Sequence, residues 1–286
     1  MIEIKNLSFR YKQDRMLFND LDLSLTDSNI YGLLGKNGAG KTTLFKILSG
    51  LLFPQTGTCN VSGFSPQKRD VSFLQNIYLI PEEFYTPSLT IEKYEKYYSP
   101  LYPHFSHTNF ISYLETFSLS FKSNLRTLSY GQKKKFFLSF GLATGVKLLL
   151  LDEPTNGLDI PTKSEFRKLL ASNLTDGRIV IISTHQVRDL ENLLDHVIIL
   201  DDGKIIFNEN MFTVAQKLKV VETKEIENQQ SVLFSEKMLG GYSIITENSD
   251  NQVEDRMNLE LLFNAVITER EKIGKIFNKE DHHAHI

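Results

Sequence analysis

Residues 35–43 read GKNGAGKTT, and three glycines, a lysine and a threonine in that stretch have the types and spacing to hold a phosphate chain. Gly35, four residues, then Gly40, Lys41 and Thr42 is the pattern of a phosphate-binding loop, and it sits in the required context between the apolar run IYGLL and a helical stretch. Gly35, Gly38 and Gly40 let the backbone curl so that successive N–H groups point inward at phosphate oxygens. The helix that follows turns its positive end toward them. Lys41 adds a full positive charge, and Thr42 offers a hydroxyl to Mg2+, a cation that takes oxygen ligands and nucleotide phosphates. Lys36, Asn37, Ala39 and Thr43 complete the loop.

Two carboxylates end the next informative stretch, LLLLDEPTNGLD at residues 148–159. The apolar run reads as a buried strand, so Asp152 and Glu153 fall at the carboxyl edge of a sheet, where ligands bind in open parallel folds. Asp152 is read as the metal-side carboxylate. Glu153 then stands where an attacking water can be deprotonated, a role commonly worth about 10²- to 10⁴-fold in rate. Without a phosphate loop upstream, the same residues would be a strand and an acidic turn. In LSYGQKKKFFLSFGLA, Ser129 is a helix N-cap with Gly131 in the first turn, so exposed amides there form a second anion nest. The strand RIVIIS delivers Thr184 and His185 to its end, where an imidazole can reach a terminal phosphate or the water.

These side chains need a scaffold, and the chain supplies the pattern for one. Runs rich in Ile, Val and Leu at Ile30 to Leu34, Ile77 to Ile80, Leu148 to Leu151, Arg178 to Ser183 and Val197 to Leu200 alternate with helical stretches. That alternation predicts an α/β fold with a mostly parallel sheet. Ile2 to Ile4 and the alternating Leu21, Leu23 and Leu25 predict an N-terminal antiparallel β layer. Between Pro81 and Ser129 the texture becomes aromatic and helical, which predicts a helical insertion. After about Val220 it changes again: 13 acidic against 7 basic side chains, with Gly and Asn clusters, read as a small C-terminal α+β appendage. Its last stretch, MNLELLFNAVITEREKIGKIF, places Leu259, Leu262, Phe263 and Val266 on one helical face. The terminal HHAHI is expected to be a solvent-exposed end rather than a metal site.

A net charge of −3 argues against holding nucleic acid by bulk electrostatics. The single cysteine, Cys59, cannot form an internal disulfide and fits a reducing compartment. No apolar run approaches the roughly 20 residues needed to span a bilayer, and the N-terminus does not read as a secretion signal.

Taken together, the motifs resemble the ABC ATPase family over about residues 1–220. GKNGAGKTT corresponds to Walker A, LSYGQ to the ABC signature, LLLLDEP to Walker B, NGLD to the D-loop and STH to the switch histidine. The resemblance implies a P-loop NTPase cassette at 1–220, with a helical subdomain at about 82–145, followed by an appendage at 221–286. It implies ATP and Mg2+ as cofactors, with Lys41, Thr42 and Asp152 at phosphate and metal, Glu153 as base, and His185 on the γ-phosphate. Tyr11, ending LSFRY, matches the aromatic that stacks on adenine. Ser129, Gly131 and Gln132 of the signature and Asp159 of the D-loop are implied nucleotide contacts. The family picture has two cassettes head to tail, so Ser129 and Gly131 would act in trans and Asp159 would link the two sites; the partner is a second copy or a paralogous cassette. Integral-membrane permease subunits are the other implied partners. The chain is then a peripheral protein on the cytoplasmic face of the membrane.

Two departures stand out. Where many members carry a Gln after the third strand, this chain reads YLIPEEF, so Glu82 is the expected metal-side residue, with Glu83 as the register alternative. Tyr130 replaces the commonest glycine of the signature. The PEE variant and the segment after it resemble exporter cassettes with a separately encoded permease, whose coupling helix would meet Tyr85, Tyr94, Tyr97 and Tyr98. Two other readings stay open: a soluble ABC ATPase acting on a non-membrane protein partner, and a regulatory module with little turnover.

Overall fold

The computed structural model describes the chain apart from residues 13–14, 27–29, 176, 192, 226–231, 249–256 and 278–286, so the terminal HHAHI lies outside the described residues. Strands β1 (Ile2–Phe9) and β2 (Phe18–Leu25) open the fold, followed by β3 (Ile30–Leu34), helix α1 (Lys41–Leu48) and β4 (Thr56–Val61). The short α2 (Val71–Leu74) leads to β5 (Ile77–Ile80), then to the helical insertion of α3 (Ile91–Tyr98), α4 (His107–Thr116) and α5 (Tyr130–Ala143). After it come β6 (Leu148–Asp152), α6 (Ile160–Ser172), β7 (Ile179–Thr184), β8 (His196–Asp201), β9 (Lys204–Asn210) and α7 (Met211–Lys217). The chain ends in β10 (Leu218–Thr223), β11 (Val232–Met238), β12 (Gly241–Glu247), α8 (Leu259–Thr268) and α9 (Arg270–Phe277).

The central sheet runs β5-β6-β7-β3-β8-β9 and is parallel except for the β8–β9 pair. Its strands bury both faces, and period-2 alternation sorts their side chains between two cores. Leu149, Leu151, Val180, Ile182, Val197 and Ile199 face one core; Leu148, Leu150, Ile179, Ile181, Ile198 and Leu200 face the other. On the second face lie α1 and an antiparallel sheet of order β2-β1-β4, the predicted N-terminal layer. The β4 strand and the antiparallel edge strand β9 were not expected from the sequence, because neither carries a long apolar run.

On the first face the helical insertion contributes Phe110, Phe136 and Phe140, and α6 contributes Phe166 and Leu170. The same core takes in Leu259, Leu261, Leu262, Ala265 and Val266 of α8. The C-terminal elements, an antiparallel sheet of order β10-β12-β11 followed by α8 and α9, therefore share one continuous core with the cassette. β10 spans the expected boundary at 220. The predicted single C-terminal helix is two, broken at Glu269.

Candidate functional site

The strand order places β6, β7 and β3 side by side, and their register makes the carboxyl ends nearly flush. Asp152 pairs with Ser183, and Leu34 pairs with Thr184. Everything that follows these three strands in sequence, the loop at 35–40, Glu153 and His185, is thereby gathered at one edge.

The loop needs its glycines. Gly38 has φ 82° and Gly40 φ 110°, a region that L side chains avoid, and a Cβ on Gly40 would lie 2.6 Å from the Phe18 ring. Gly40 caps α1 without a side-chain hydrogen bond, which leaves the amides of the first turn available to a ligand. Lys41 curls back, its Nζ donating to the carbonyls of Gly35 at 2.7 Å and Lys36 at 3.3 Å. Burial pushes its ammonium below the ordinary value, while Glu153, Asp152 and Glu82 pull it back up.

Asp152 is 1% exposed, with both carboxylate oxygens occupied by hydroxyl donors. Thr42 Oγ1 donates to Oδ2 at 2.6 Å, and Ser183 Oγ donates to Oδ1. Sequence reasoning did not single out Ser183. In the sequence it is one more position of a buried strand, and only the strand order and register set it opposite Asp152.

Glu153 is 4% exposed and sits at φ 47°, in the left-handed region that a non-glycine residue rarely occupies. Its N–H is held by Ser183, through the carbonyl at 3.1 Å and Oγ at 3.2 Å. Its Oε1 lies 2.7 Å from His185 Nδ1, and its Oε2 is buried with no hydrogen-bond partner. An ionised carboxylate only accepts, so Nδ1 of His185 is the donor in that pair.

Tyr11, Lys41, Thr42, Glu82, Asp152, Glu153 and His185 all line one cleft of about 610 Å³, a volume suited to a nucleotide, together with Asn37, Gly38, Gly40 and Thr43. Arg15 lines it too, a cation the sequence reading did not name. The Tyr11 hydroxyl is 2.9 Å from Thr43 Oγ1, and its ring stands edge-on to Phe9, 5.0 Å between centroids. Glu82 is tied by Oε1 to Asn156 Nδ2 at 3.2 Å; Glu83 lies on a separate groove. Lys36 and Gly35 flank a smaller cavity of about 250 Å³ behind the loop with Phe263 of α8. Ala39 packs against the second core.

Ser129, Gly131, Gln132 and Asp159 are not among the residues lining the cleft. Ser129 and Gln132 form a capping box on α5: Gln132 N–H donates to Ser129 Oγ at 3.3 Å, and Ser129 N–H donates to Gln132 Oε1 at 3.0 Å. Asp159 caps α6 by accepting from Thr162 N–H at 2.8 Å, and hydrogen bonds from the Thr162 hydroxyl and then its N–H hold the carboxyl below the usual carboxylate range.

The donor set fits a small hard cation. A hydroxyl and a carboxylate stand 2.6 Å apart at the mouth of the phosphate loop, and Glu82 lines the same cleft. With Asp152 and Glu153 that makes three carboxylates against the two cations Lys41 and Arg15, so a triphosphate entering here adds like charge that needs neutralising. Among the described residues no group of three or more His, Cys, Asp or Glu side chains is clustered for a metal. Magnesium does not require one, since it is held by one or two carboxylates plus substrate phosphates.

A family model described as ABC transporter matches residues 18–156. A lantibiotic transport ATP-binding protein of Streptococcus pyogenes is 30% identical over 211 residues, covering 73% of this chain and 90% of that protein. Nod factor export ATP-binding protein I of Burkholderia orbicola is 31% identical over 212 residues, covering 72% and 69%. Among solved structures, a dimeric ATP-binding cassette in a post-hydrolysis state bound to ADP and Pi superposes with a TM-score of 0.65 at 20% identity, covering 74% of this chain and 99% of that one.

Proposed function

The chain belongs to the ABC transporter ATP-binding family, and from that premise we propose that it is the Mg2+-dependent ATPase subunit of an exporter whose membrane-spanning permease is a separate polypeptide. The observation that carries the chemistry is the convergence of Lys41, Thr42, Asp152, Glu153 and His185 on one cleft. Amides of the 35–40 loop and the Lys41 ammonium bind the β- and γ-phosphates, and Tyr11 at the cleft wall stacks on the base. Thr42 and Asp152, with Glu82 beside them, hold Mg2+, which neutralises charge on the phosphate oxygens when bound. Glu153 accepts the proton of the attacking water. His185, hydrogen-bonded to Glu153, orients the carboxylate and places its imidazole against the γ-phosphate.

The signature and D-loop residues support a head-to-tail dimer. Ser129, Gly131, Gln132 and Asp159 are outside the chain's own cleft, and the related cassette solved with ADP and Pi is described as dimeric. A second copy, or a paralogue, presents its signature helix N-terminus to this chain's phosphates, so ATP favours closure and hydrolysis releases it. The export direction draws support from the Nod factor export relative.

Among the described residues no helix is long and apolar enough to cross a membrane. A groove of about 450 Å³ between the central sheet and the helical insertion, lined by Leu51, Tyr78, Phe84, Tyr85 and Phe137, is the docking place for a permease helix at the cytoplasmic face. Tyr85 is 89% exposed there, whereas Tyr94 is largely core. The test is purification at native levels from detergent-solubilised membranes, with ATP turnover measured in Mg2+ and in excess chelator. A stoichiometric multi-span protein and turnover that needs Mg2+ are expected. Turnover with only a soluble partner would overturn the transport reading.

A further inference from the structure

Lys134 is 0% exposed, yet it lies on the signature helix five residues after its cap and carries a charge into the first core. A buried ammonium persists only when its donors are met. Here three acceptors meet three N–H donors: the carbonyl of Glu153 at 2.5 Å, the carbonyl of Asn156 at 3.2 Å and the hydroxyl of Tyr130 at 3.4 Å. The Tyr130 hydroxyl in turn donates to the carbonyl of Glu82 at 3.0 Å. Its ring stacks on Phe84 at 5.6 Å between centroids and 10° between planes. Gly157, at φ 76°, also lies close to the ring: a Cβ there would sit 2.8 Å from it.

These contacts bracket Glu153. Its N–H side is held by Ser183 of β7, and its C=O side is held by Lys134 of α5. The two peptide groups around a Cα fix its φ and ψ, and Glu153 sits at a φ of 47° that it would leave if released. Direction of the carboxylate toward His185 depends on that backbone conformation.

We propose that Lys134 is a positioning residue for hydrolysis: it pins the Glu153–Asn156 turn to the signature helix, and through Tyr130 it ties the loop carrying Glu82 to the same helix. This rests on Glu153 being the base. The bulky Tyr130, in place of the commonest glycine, is then a working part of the connection, because a glycine there could neither bond Glu82 nor complete the Lys134 shell. Burial pushes the Lys134 ammonium down to about 8, with Glu82, Glu153 and Asp152 opposing, which accords with a group retained for its contacts.

The test uses the full chain with Lys134→Met, which keeps the apolar stem and removes the donors, and Lys134→Arg, which restores donors. Amide hydrogen exchange of the peptide covering 153–158 is read without nucleotide, and kcat and the affinity for a non-hydrolysable ATP analogue are read separately. Lys134→Met should speed exchange of that peptide at least tenfold and lower kcat at least tenfold, with analogue affinity within threefold. Lys134→Arg should recover part of both. Unchanged exchange at 153–158, or unchanged kcat, would overturn the proposal, as would an equal loss of kcat and affinity. If the Met variant fails to fold, Lys134→Leu, which also lacks donors, is read by the same criteria. A wild-type chain without turnover would sink the ATPase reading instead, and the exchange comparison would still decide whether Lys134 holds the turn.

Discussion

Replacing Glu153 with Gln removes the proton acceptor and leaves the shape. The amide oxygen can keep the 2.7 Å contact to His185 Nδ1, and the amide nitrogen falls where Oε2 has no partner in the chain. One negative charge also disappears beside Asp152 in a site where Glu153 is 4% exposed, so the thermal midpoint should not fall below wild type. The lost proton transfer is worth about 10²- to 10⁴-fold, which at about 1.36 kcal/mol per tenfold raises the barrier by roughly 2.7 to 5.4 kcal/mol. Phosphate release at saturating ATP and Mg2+ reads the rate, an ATP binding titration reads affinity, and light scattering reads association. Turnover should drop by at least 10²-fold, affinity should stay within about threefold, and ATP should hold the chain as a dimer. Turnover within threefold of wild type, with binding intact, would show that the base is another group and that the Glu153–His185 pair is structural.

Lys41→Ala removes the ammonium whose burial is offset by three carboxylates, and should weaken nucleotide binding by tenfold or more in a fluorescent-nucleotide titration; wild-type affinity would remove the lysine from the phosphate site. Thr42→Ala should raise the Mg2+ concentration for half-maximal turnover while leaving metal-free ATP binding within threefold, and an unchanged Mg2+ titration would detach Thr42 from the metal. Leu262→Ala empties a fully buried position shared by cassette and appendage, so urea unfolding should show a loss of about 2 to 5 kcal/mol in one transition. Separate transitions would mean the appendage folds independently. The Lys134 ammonium is held at about 8 against an ordinary 10.5, so between those values the unfolded chain binds the extra proton. Its destabilising effect is full below about pH 8 and is relieved as pH approaches 10.5. Across that window the stability of wild type should gain on Lys134→Met by on the order of 1 to 3 kcal/mol; a flat difference would mean the lysine titrates normally.

The residues alone make legible the chemistry whose requirements are local. Gly38 and Gly40 must accept positive φ where they stand, Lys41 and Thr42 must open the next helix, and a carboxylate pair or a histidine must end an apolar strand; each is a matter of neighbouring residues. The parallel sheet was legible for the same reason, since its buried strands are uninterrupted apolar runs, whereas β4 and β9 carry mixed faces and escaped notice. The long-range pairings belong to the tertiary structure alone. Thr42 meets Asp152 across 110 residues and Glu153 meets His185 across 32 because the strand order sets β6, β7 and β3 side by side. Ser183 reaches Asp152 because the register puts them opposite. Lys134 reads in the sequence as one cation in a basic run on a helix, and nothing in its neighbours says that it points inward. Only the packing of α5 against the turn after β6, which buries three carbonyl and hydroxyl acceptors at one point, turns it from a surface charge into a strut behind Glu153.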